Sequence, residues 1–180
     1  MSIHATTVIA LHDPEARCAV VGSDGQATQN TLILKANTRK ARAIFDGKVP
    51  TGFAGSTADA ITLFERFEGK LREYSGNLVR AAVELTKDWR TDRALRRLEA
   101  LLVVASEDHL LMVSGAGDVM EPDDGVVGLG SGGGYAMAAA RALRRETALD
   151  LKAIAEKALG IAAELDIYTN DRIHVEELKW

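Results

Sequence analysis

The hydrophobic residues follow one period in the first 55 residues and another after them. Short β-branched segments separated by turn residues fill the first part: TTVIAL, RCAVVGSDG, NTLILKAN, ARAIF and KVPTGFAG. From Ser56, the predicted N-cap, the apolar residues recur every three or four positions, at Ala60, Phe64, Phe67, Leu71 and Tyr74. That spacing forms one face of a helix. The chain is therefore predicted to begin with antiparallel strands and to continue into a helix.

The remainder repeats this order. A second helical stripe, which the charged segment KDWRTDRALRR continues, runs through Leu78, Ala82, Leu85 and Trp89. Strands are predicted at ALLVVAS and HLLMVSG, which form a hairpin, and at VVGLG, with GQATQ and EPDDG as breaks. A glycine-rich turn then opens the helix of YAMAAARALRR. A further helical stripe comprises Leu151, Ile154, Ala158, Ala162 and Leu165, and IYTNDRIHVEEL closes the chain with one or two strands.

The helices come in pairs, whereas a parallel sheet needs single helices alternating with single strands. The order therefore predicts two antiparallel sheets with helices outside them, in an α+β fold. The 180 residues are the usual length of one domain.

Composition narrows the classes of function. A formal net charge of -4 provides no basic surface for nucleic acid or for an anionic membrane. The sequence has neither a signal peptide nor an apolar run long enough to cross a membrane. Its single cysteine, Cys18, cannot form an internal disulfide, which is typical of a cytoplasmic protein. The four scattered histidines do not have the spacing of metal ligands.

The glycine-rich segment has more than one interpretation. Gly128, Gly130 and Gly133 match GxGxxG between a strand and a helix, and Asp150 follows about 20 residues later, as in a dinucleotide-binding site. Such a site needs a second parallel strand after the helix, and here Asp150 precedes another helix. The glycines would otherwise let a helix pack closely on a strand, or place Ser131 in a site.

The paired threonines near the start, Thr6 and Thr7, suggest chemistry. A threonine hydroxyl is a weak nucleophile that needs an adjacent base. If residues 1–5 were removed, the α-amine of Thr6 would be that base, since its ordinary pKa is about 7.7 to 8.0, against about 10.4 for a lysine side chain. Roughly a tenth of such amines are uncharged at neutral pH, so Thr6 is the candidate nucleophile.

Four other residues are candidate partners of Thr6. The ammonium group of Lys40 would lower the pKa of a nearby amine, because like charges disfavour each other. Asp24 would orient the lysine, and Ser131 would relay a proton. The backbone N–H beside Gly52 would stabilise an oxyanion. Each also has an ordinary structural interpretation, such as a tight turn for Asp24 or a solvated strand face for Lys40.

Segments along the whole chain resemble the HslV (ClpQ) family of bacterial proteasome-like peptidases. They are TTVIAL, SDGQAT, NTRKAR, GFAGSTADAITLFERFE, AAVELTKDWRTDRALRRLEALL, GLGSGGGYAMAAARAL and IYTND. The resemblance implies an N-terminal nucleophile hydrolase fold, a four-layer αββα sandwich, formed as one domain by residues 6–180 after a propeptide of residues 1–5. It also implies a threonine endopeptidase that acts on unfolded proteins delivered by the AAA+ ATPase HslU.

By motif, the resemblance assigns Thr6 as nucleophile, with Asp24, Lys40 and Ser131 as its partners and Gly52 as the oxyanion donor. It implies two stacked six-membered rings, no organic cofactor, and ATP hydrolysis by the partner alone. It further implies a structural sodium ion held by the backbone carbonyls of Ala163, Asp166 and Thr169. The family commonly has glycine and cysteine at the first two of these positions.

Two alternatives remain open in the sequence. Ser2 follows the initiator methionine and would become the mature end if no later cleavage occurred. We favour Thr6, because Ala5-Thr6 is a junction of small residues immediately before the strand pattern. A related N-terminal nucleophile amidohydrolase acting on small molecules is the other alternative.

Overall fold

The computed structural model describes residues 3–4, 6–55, 57–92 and 100–180. For residues 3, 4, 57 and 58 it describes the backbone alone. In this part of the chain, the strands are β1 (Ile3–His4), β2 (Thr7–Asp13), β3 (Cys18–Ser23), β4 (Ala27–Gln29), β5 (Leu32–Lys35), β6 (Ala41–Ile44), β7 (Val49–Gly55), β8 (Ala100–Ala105), β9 (Leu110–Ser114), β10 (Val119–Met120), β11 (Val126–Gly130) and β12 (His174–Lys179). The helices are α1 (Thr57–Glu73), α2 (Leu78–Thr91), α3 (Gly133–Glu146) and α4 (Leu151–Leu165).

The strands form two main antiparallel sheets and one small sheet. The first main sheet has the order β11-β2-β3-β12 and the second the order β10-β9-β8-β7-β6. The small sheet has the order β1-β4-β5. The two main sheets are those predicted from the paired helices, whereas the small one was not expected.

The layers follow from the alternation of side chains along each strand. In β2, Val8 and Ala10 face the second sheet, where they pack near Val103. Ile9 and Leu11 face the opposite way, toward α3 and α4. Helices α1 and α2 cover the far side of the second sheet, where Trp89 and Phe67 are fully buried. The four layers are thus α, β, β and α, and the predicted fold is confirmed.

Some predictions about elements are wrong. GQATQ is not simply a break, because it contains β4. Leu165 belongs to the predicted buried stripe of α4 but is 60% exposed, since it is the last residue of the helix. By contrast, the prediction of one or two strands in IYTNDRIHVEEL agrees with the structure, which has one there within the described residues, β12. The predicted N-cap Ser56 and residues 93–99 of the predicted helical extension lie outside the described residues.

Candidate active site

Three strand ends of the first sheet bring Thr6, Asp24 and Ser131 to one end of the sandwich. Thr6 directly precedes β2, and Asp24 directly follows β3. Ser131 follows β11, which runs antiparallel to β2 so that Gly130 lies opposite Thr7. Residues far apart in sequence therefore meet because the ends of antiparallel neighbours lie at the same edge of a sheet.

Hydrogen bonds hold the peptide unit between Thr6 and Thr7 on both sides. The N–H of Ser131 donates to the carbonyl of Thr6 at 3.1 Å. The N–H of Thr7 donates to Oδ1 of Asp24 at 2.9 Å. Thr6 itself is 4% exposed. The backbone that follows the candidate nucleophile is thus fixed by two of its predicted partners.

Lys40 and Asp24 form a buried ion pair. Nζ of Lys40 donates to Oδ1 of Asp24 at 2.7 Å, and the side chains are 2% and 0% exposed. The carboxylate also accepts from the N–H groups of Gln26, at 2.8 Å, and Asn170, at 3.3 Å. Burial lowers the pKa of Lys40 below its ordinary value, although the negative charge of Asp24 acts in the opposite direction. Both charges are therefore paired and oriented beside the start of β2.

A second carboxylate, Asp166, organises the other side of the site. Its Oδ2 accepts from Oγ of Ser131 at 2.6 Å and from Oγ1 of Thr169 at 2.5 Å. Oγ1 of Thr169 lies 2.6 Å from Oγ1 of Thr7, which accepts from the N–H of Gly132 at 3.0 Å. A hydroxyl has one hydrogen to donate, and that of Thr169 goes to Asp166. Thr7 consequently donates to Thr169, and a hydrogen-bonded chain runs from Gly132 to Asp166.

This network was not predicted from the sequence, in which Asp166 and Thr169 are candidate carbonyl ligands of an ion and Thr7 only begins a strand. One signal of the network is Asp166 itself, an acidic residue at the C-terminal end of an apolar helix, where a negative charge is unfavourable without donors nearby.

The glycine-rich turn makes room for the threonines. Gly130 has a φ of +83°, and a Cβ added to it would lie 1.6 Å from the carbonyl oxygen of Thr6. A Cβ on Gly132 would lie 2.4 Å from Oγ1 of Thr7. After the turn, α3 leads to α4 and not to a parallel strand. This topology is incompatible with the dinucleotide-binding alternative and supports the interpretation that the glycines serve close packing.

Gly52 lies in the middle of β7, opposite Ala41 of β6 and Val103 of β8. A Cβ added to Gly52 would lie 2.8 Å from Cγ1 of Val8 in the facing sheet. The residue after it, Phe53, donates its N–H to the carbonyl of Lys40 at 3.3 Å. Gly52 is therefore where the second sheet approaches the start of β2 closely, and its role as oxyanion donor stays a prediction.

The predicted sodium ligands lie at the end of α4 and in the turn after it. The carbonyl of Asp166 accepts from the N–H of Thr169 at 3.0 Å, which leaves a second lone pair on that oxygen. Ala163 is in the last turn of α4. Three carbonyl oxygens suit a hard cation such as sodium, so the residues present fit the ion.

Part of the predicted propeptide forms β1. This short strand pairs antiparallel with β4, so that Ile3 lies opposite Gln29 and His4 opposite Thr28. The backbone of residues 3 and 4 is thereby held against the small sheet.

Comparison with known proteins identifies the family. The family model described as Proteasome subunit matches residues 3–178. The chain belongs to the proteasome family. Among its relatives is the ATP-dependent protease subunit HslV of Geobacillus sp. (strain WCH70), which is 57% identical over 178 residues, 97% of this chain and 98% of the relative.

Solved structures agree with the sequence comparison. HslV from Trypanosoma brucei superimposes with a TM-score of 0.90 at 45% identity, over 97% of this chain and 99% of that one. Thiobacillus denitrificans BPH, determined in complex with epoxomicin, has a TM-score of 0.73 at 19% identity, over 96% of this chain and 98% of that one. This likeness shows a shared fold.

The resemblance to the HslV family is thus confirmed. The chain is a protease subunit of the proteasome-like type and a threonine peptidase of the N-terminal nucleophile class. The Geobacillus relative is described as a protease subunit, which favours a peptidase over the alternative of a small-molecule amidohydrolase.

Proposed function

We propose that Thr6 is the nucleophile of this peptidase and that removal of residues 1–5 frees its amine. The observation that carries the proposal is the fixed Thr6–Thr7 peptide, which is held by Asp24 and Ser131 beside the buried Lys40. A nucleophile held in a defined geometry reacts faster than one that moves freely.

The reaction follows from these positions. The freed amine accepts the proton of Oγ1 of Thr6. This oxygen then attacks the substrate carbonyl, and departure of the leaving amine gives an acyl-enzyme. The charge of Lys40, paired with Asp24, keeps the pKa of the amine low enough for it to act as a base. The N–H of Gly52 stabilises the oxyanion, and Ser131 relays the proton toward the leaving amine. The amine then activates water, which releases the acyl group.

The assembly belongs to the same proposal. We infer that twelve copies form two stacked six-membered rings in the cytoplasm, and that an HslU-type AAA+ ATPase delivers unfolded protein to them. ATP is hydrolysed by the ATPase, and the peptidase needs no organic cofactor. A sodium ion held by the carbonyls of Ala163, Asp166 and Thr169 would fix the turn that carries Thr169. The name of the Geobacillus relative, ATP-dependent protease subunit HslV, supports the part of this proposal in which the chain is one subunit of a protease that works with an ATPase.

The test is the Thr6→Ala variant. It should lose cleavage of a fluorogenic peptide, by a factor of about a thousand or more, because both the nucleophile and its processing are lost. Mass analysis should find residues 1–5 removed in the wild-type protein and retained in the variant. Thr91→Ala is the matched control, since the exposed Thr91 hydroxyl bonds to the Lys87 carbonyl of its own helix.

Two results would contradict the proposal. Peptide cleavage by Thr6→Ala at the wild-type rate would exclude Thr6 as nucleophile. A fully active mature chain that begins at Ser2 would show that the leader is not removed and that the amine of Thr6 is not the base.

A further inference from the structure

The turn after α4 is connected to two other parts of the chain by the side chain of Asn170. Its Oδ1 accepts from the N–H of Gly25 at 3.0 Å and from the N–H of Arg172 at 3.2 Å. Its Nδ2 donates to the carbonyl of Ala36 at 2.9 Å. The opposite orientation of the amide would place its NH2 group against two N–H donors, so the partners fix which end faces which segment. Asn170 therefore joins two segments of the chain to this turn.

Each of these segments leads to one charge of the buried ion pair. Gly25 directly follows Asp24, and Ala36 begins the stretch that ends at Lys40. This stretch lies between β5 and β6 and belongs to neither strand. It also contacts the other segment directly, because the N–H of Thr38 donates to the carbonyl of Gly25 at 2.8 Å. The position of the lysine relative to the aspartate thus depends on contacts outside regular secondary structure.

The same turn also reaches the threonine side of the site. Thr169, which precedes Asn170, donates its hydroxyl to Asp166 and accepts from that of Thr7. The backbone N–H of Asn170 donates to Oδ2 of Asp24 at 3.3 Å. Two consecutive residues therefore connect the hydroxyl network on one side with the ion pair on the other.

The bridge formed by Asn170 needs both ends of a short amide. An aspartate at this position has the acceptor for Gly25 but no donor for the carbonyl of Ala36, and an alanine has neither. The two segments also approach each other closely, since a Cβ added to Gly25 would lie 2.6 Å from the carbonyl oxygen of Ala36. A movement of one segment would consequently displace the other.

We propose that Asn170 is a positioning residue of this peptidase, whose side chain fixes where the ammonium group of Lys40 stands relative to the amine of Thr6. The inference rests on the proposed function, in which that amine is the base. The charge of Lys40 disfavours protonation of the amine only while the two groups are held close together. Without the bridge, the amine keeps its proton up to a higher pH, and fewer chains are active at neutral pH.

Kinetics of the full-length Asn170→Ala variant on a fluorogenic peptide tests this role. Its kcat, per chain that begins at Thr6, should fall by about tenfold with little change in KM, because each neutral hydrogen bond corresponds to a factor of about 2 to 10. The acidic limb of the pH profile of kcat/KM should move up by about half a pH unit or more. Asn37→Ala is the matched control, since Asn37 is exposed and lies in the stretch that Asn170 holds.

Two further measurements separate positioning from stability. In Asn170→Ala, the N–H of Gly25 loses its acceptor, so peptides that cover residues 24–29 should exchange hydrogen for deuterium at least about threefold faster than in the wild-type protein. The isosteric Asn170→Asp keeps that acceptor and adds a negative charge near Asp24. This charge favours the protonated amine, so the acidic limb should move up by more than in Asn170→Ala.

Three results would overturn the proposal. The first is a kcat and an acidic limb in Asn170→Ala equal to those of Asn37→Ala. The second is a lower Tm with both kinetic quantities unchanged, which would make Asn170 a stabilising residue only. The third is a loss of kcat without faster exchange over residues 24–29, which would place the cause elsewhere. Failure of the proposed function is distinguishable, since it would appear as peptide cleavage by Thr6→Ala, and it would remove the positioning role with it.

Discussion

The two adjacent threonines at the start of β2 have different roles. Thr6 contributes its carbonyl, which accepts from Ser131, while its own N-terminal side leads to the predicted cleavage site. Thr7 contributes its hydroxyl, which connects Gly132 to Thr169 and so to Asp166. In the proposed mechanism, the first threonine reacts and the second anchors it. In this mechanism, each threonine of the pair therefore has its own role.

Asp166 is predicted to position the site without touching the substrate. Asp166→Asn keeps the shape of the side chain but replaces a charged acceptor of two hydroxyls with a neutral amide. Hydrogen bonds to charged groups are worth about 1.5 to 3 kcal/mol, so we expect kcat to fall by about 10- to 100-fold. KM should change little, and the assembly should persist. Steady-state kinetics on a fluorogenic peptide measures both constants separately.

Asp171→Asn is the control for this variant, because Asp171 lies nearby in sequence but is exposed. A kcat for Asp166→Asn equal to that of Asp171→Asn would exclude the positioning role. A matching loss of folded protein in circular dichroism would instead indicate that Asp166 acts on stability alone.

At the scale of residues, the sequence predicted those members of the site that belong to motifs. Asp24, Lys40 and Ser131 each stand in a short motif of the HslV family, and the structure places Asp24 and Ser131 on the Thr6–Thr7 peptide and Lys40 on Asp24. The side chain of Asp166 could not be predicted in this way. Its partner Ser131 lies 35 residues away in sequence, and only the folded topology brings the two side chains together.

At the scale of elements, long periodic segments were predicted well and very short ones were not. Apart from Tyr74, which lies beyond the end of α1 and is only partly buried, the predicted stripes of α1 and α2 are buried, because their seventeen and fourteen residues repeat the helical period several times. By contrast, β4 has three residues and β10 has two, which is too few for an alternating pattern. These strands form because neighbouring strands provide hydrogen-bonding partners, a tertiary effect that local sequence does not encode.

Strand β3 supports a prediction about thiol reactivity. Its first residue, Cys18, is 6% exposed and packs among the residues between the first sheet and α3 and α4. Burial, reinforced by the nearby charge of Glu177, raises the pKa of the thiol to about 11 from 9.0. The thiolate is the reactive form, so at pH 8 its fraction should be about a hundredfold lower than for an ordinary cysteine.

Alkylation by iodoacetamide measures this effect. Cys18 should react at least about a hundredfold more slowly in the native protein than in urea, and the native rate should keep rising up to about pH 11 because the raised pKa delays ionisation. Equal rates in the two states at pH 8 would show that the thiol is neither buried nor shifted in pKa. Mass spectrometry of timed samples gives both rates.

At the scale of the whole molecule, the fold depends on how closely the two main sheets approach each other. Their contact layer is made largely of small and β-branched side chains, among them Val8, Val21, Ala54 and Val103. Gly52 lies at a tight point of this layer, where an added Cβ would be 2.8 Å from Val8 and 2.9 Å from Val21. Both contacts are side-chain methyl groups held between two sheets, which have little room to move.

Gly52→Ala is therefore predicted to destabilise the whole domain while keeping the backbone N–H of residue 52. Overpacking of this kind costs about 1 to 3 kcal/mol, which corresponds to a fall in Tm of about 3 to 10 °C for a chain of this length. Gly69→Ala is the control, because Gly69 lies on α1 with open space around its Cβ position, and alanine there should be neutral or stabilising. Calorimetry at one fixed protein concentration measures both variants. An unchanged Tm for Gly52→Ala would mean that the sheets separate easily at this point, and the close approach of the second sheet to Thr6 would then not be a fixed feature of the site.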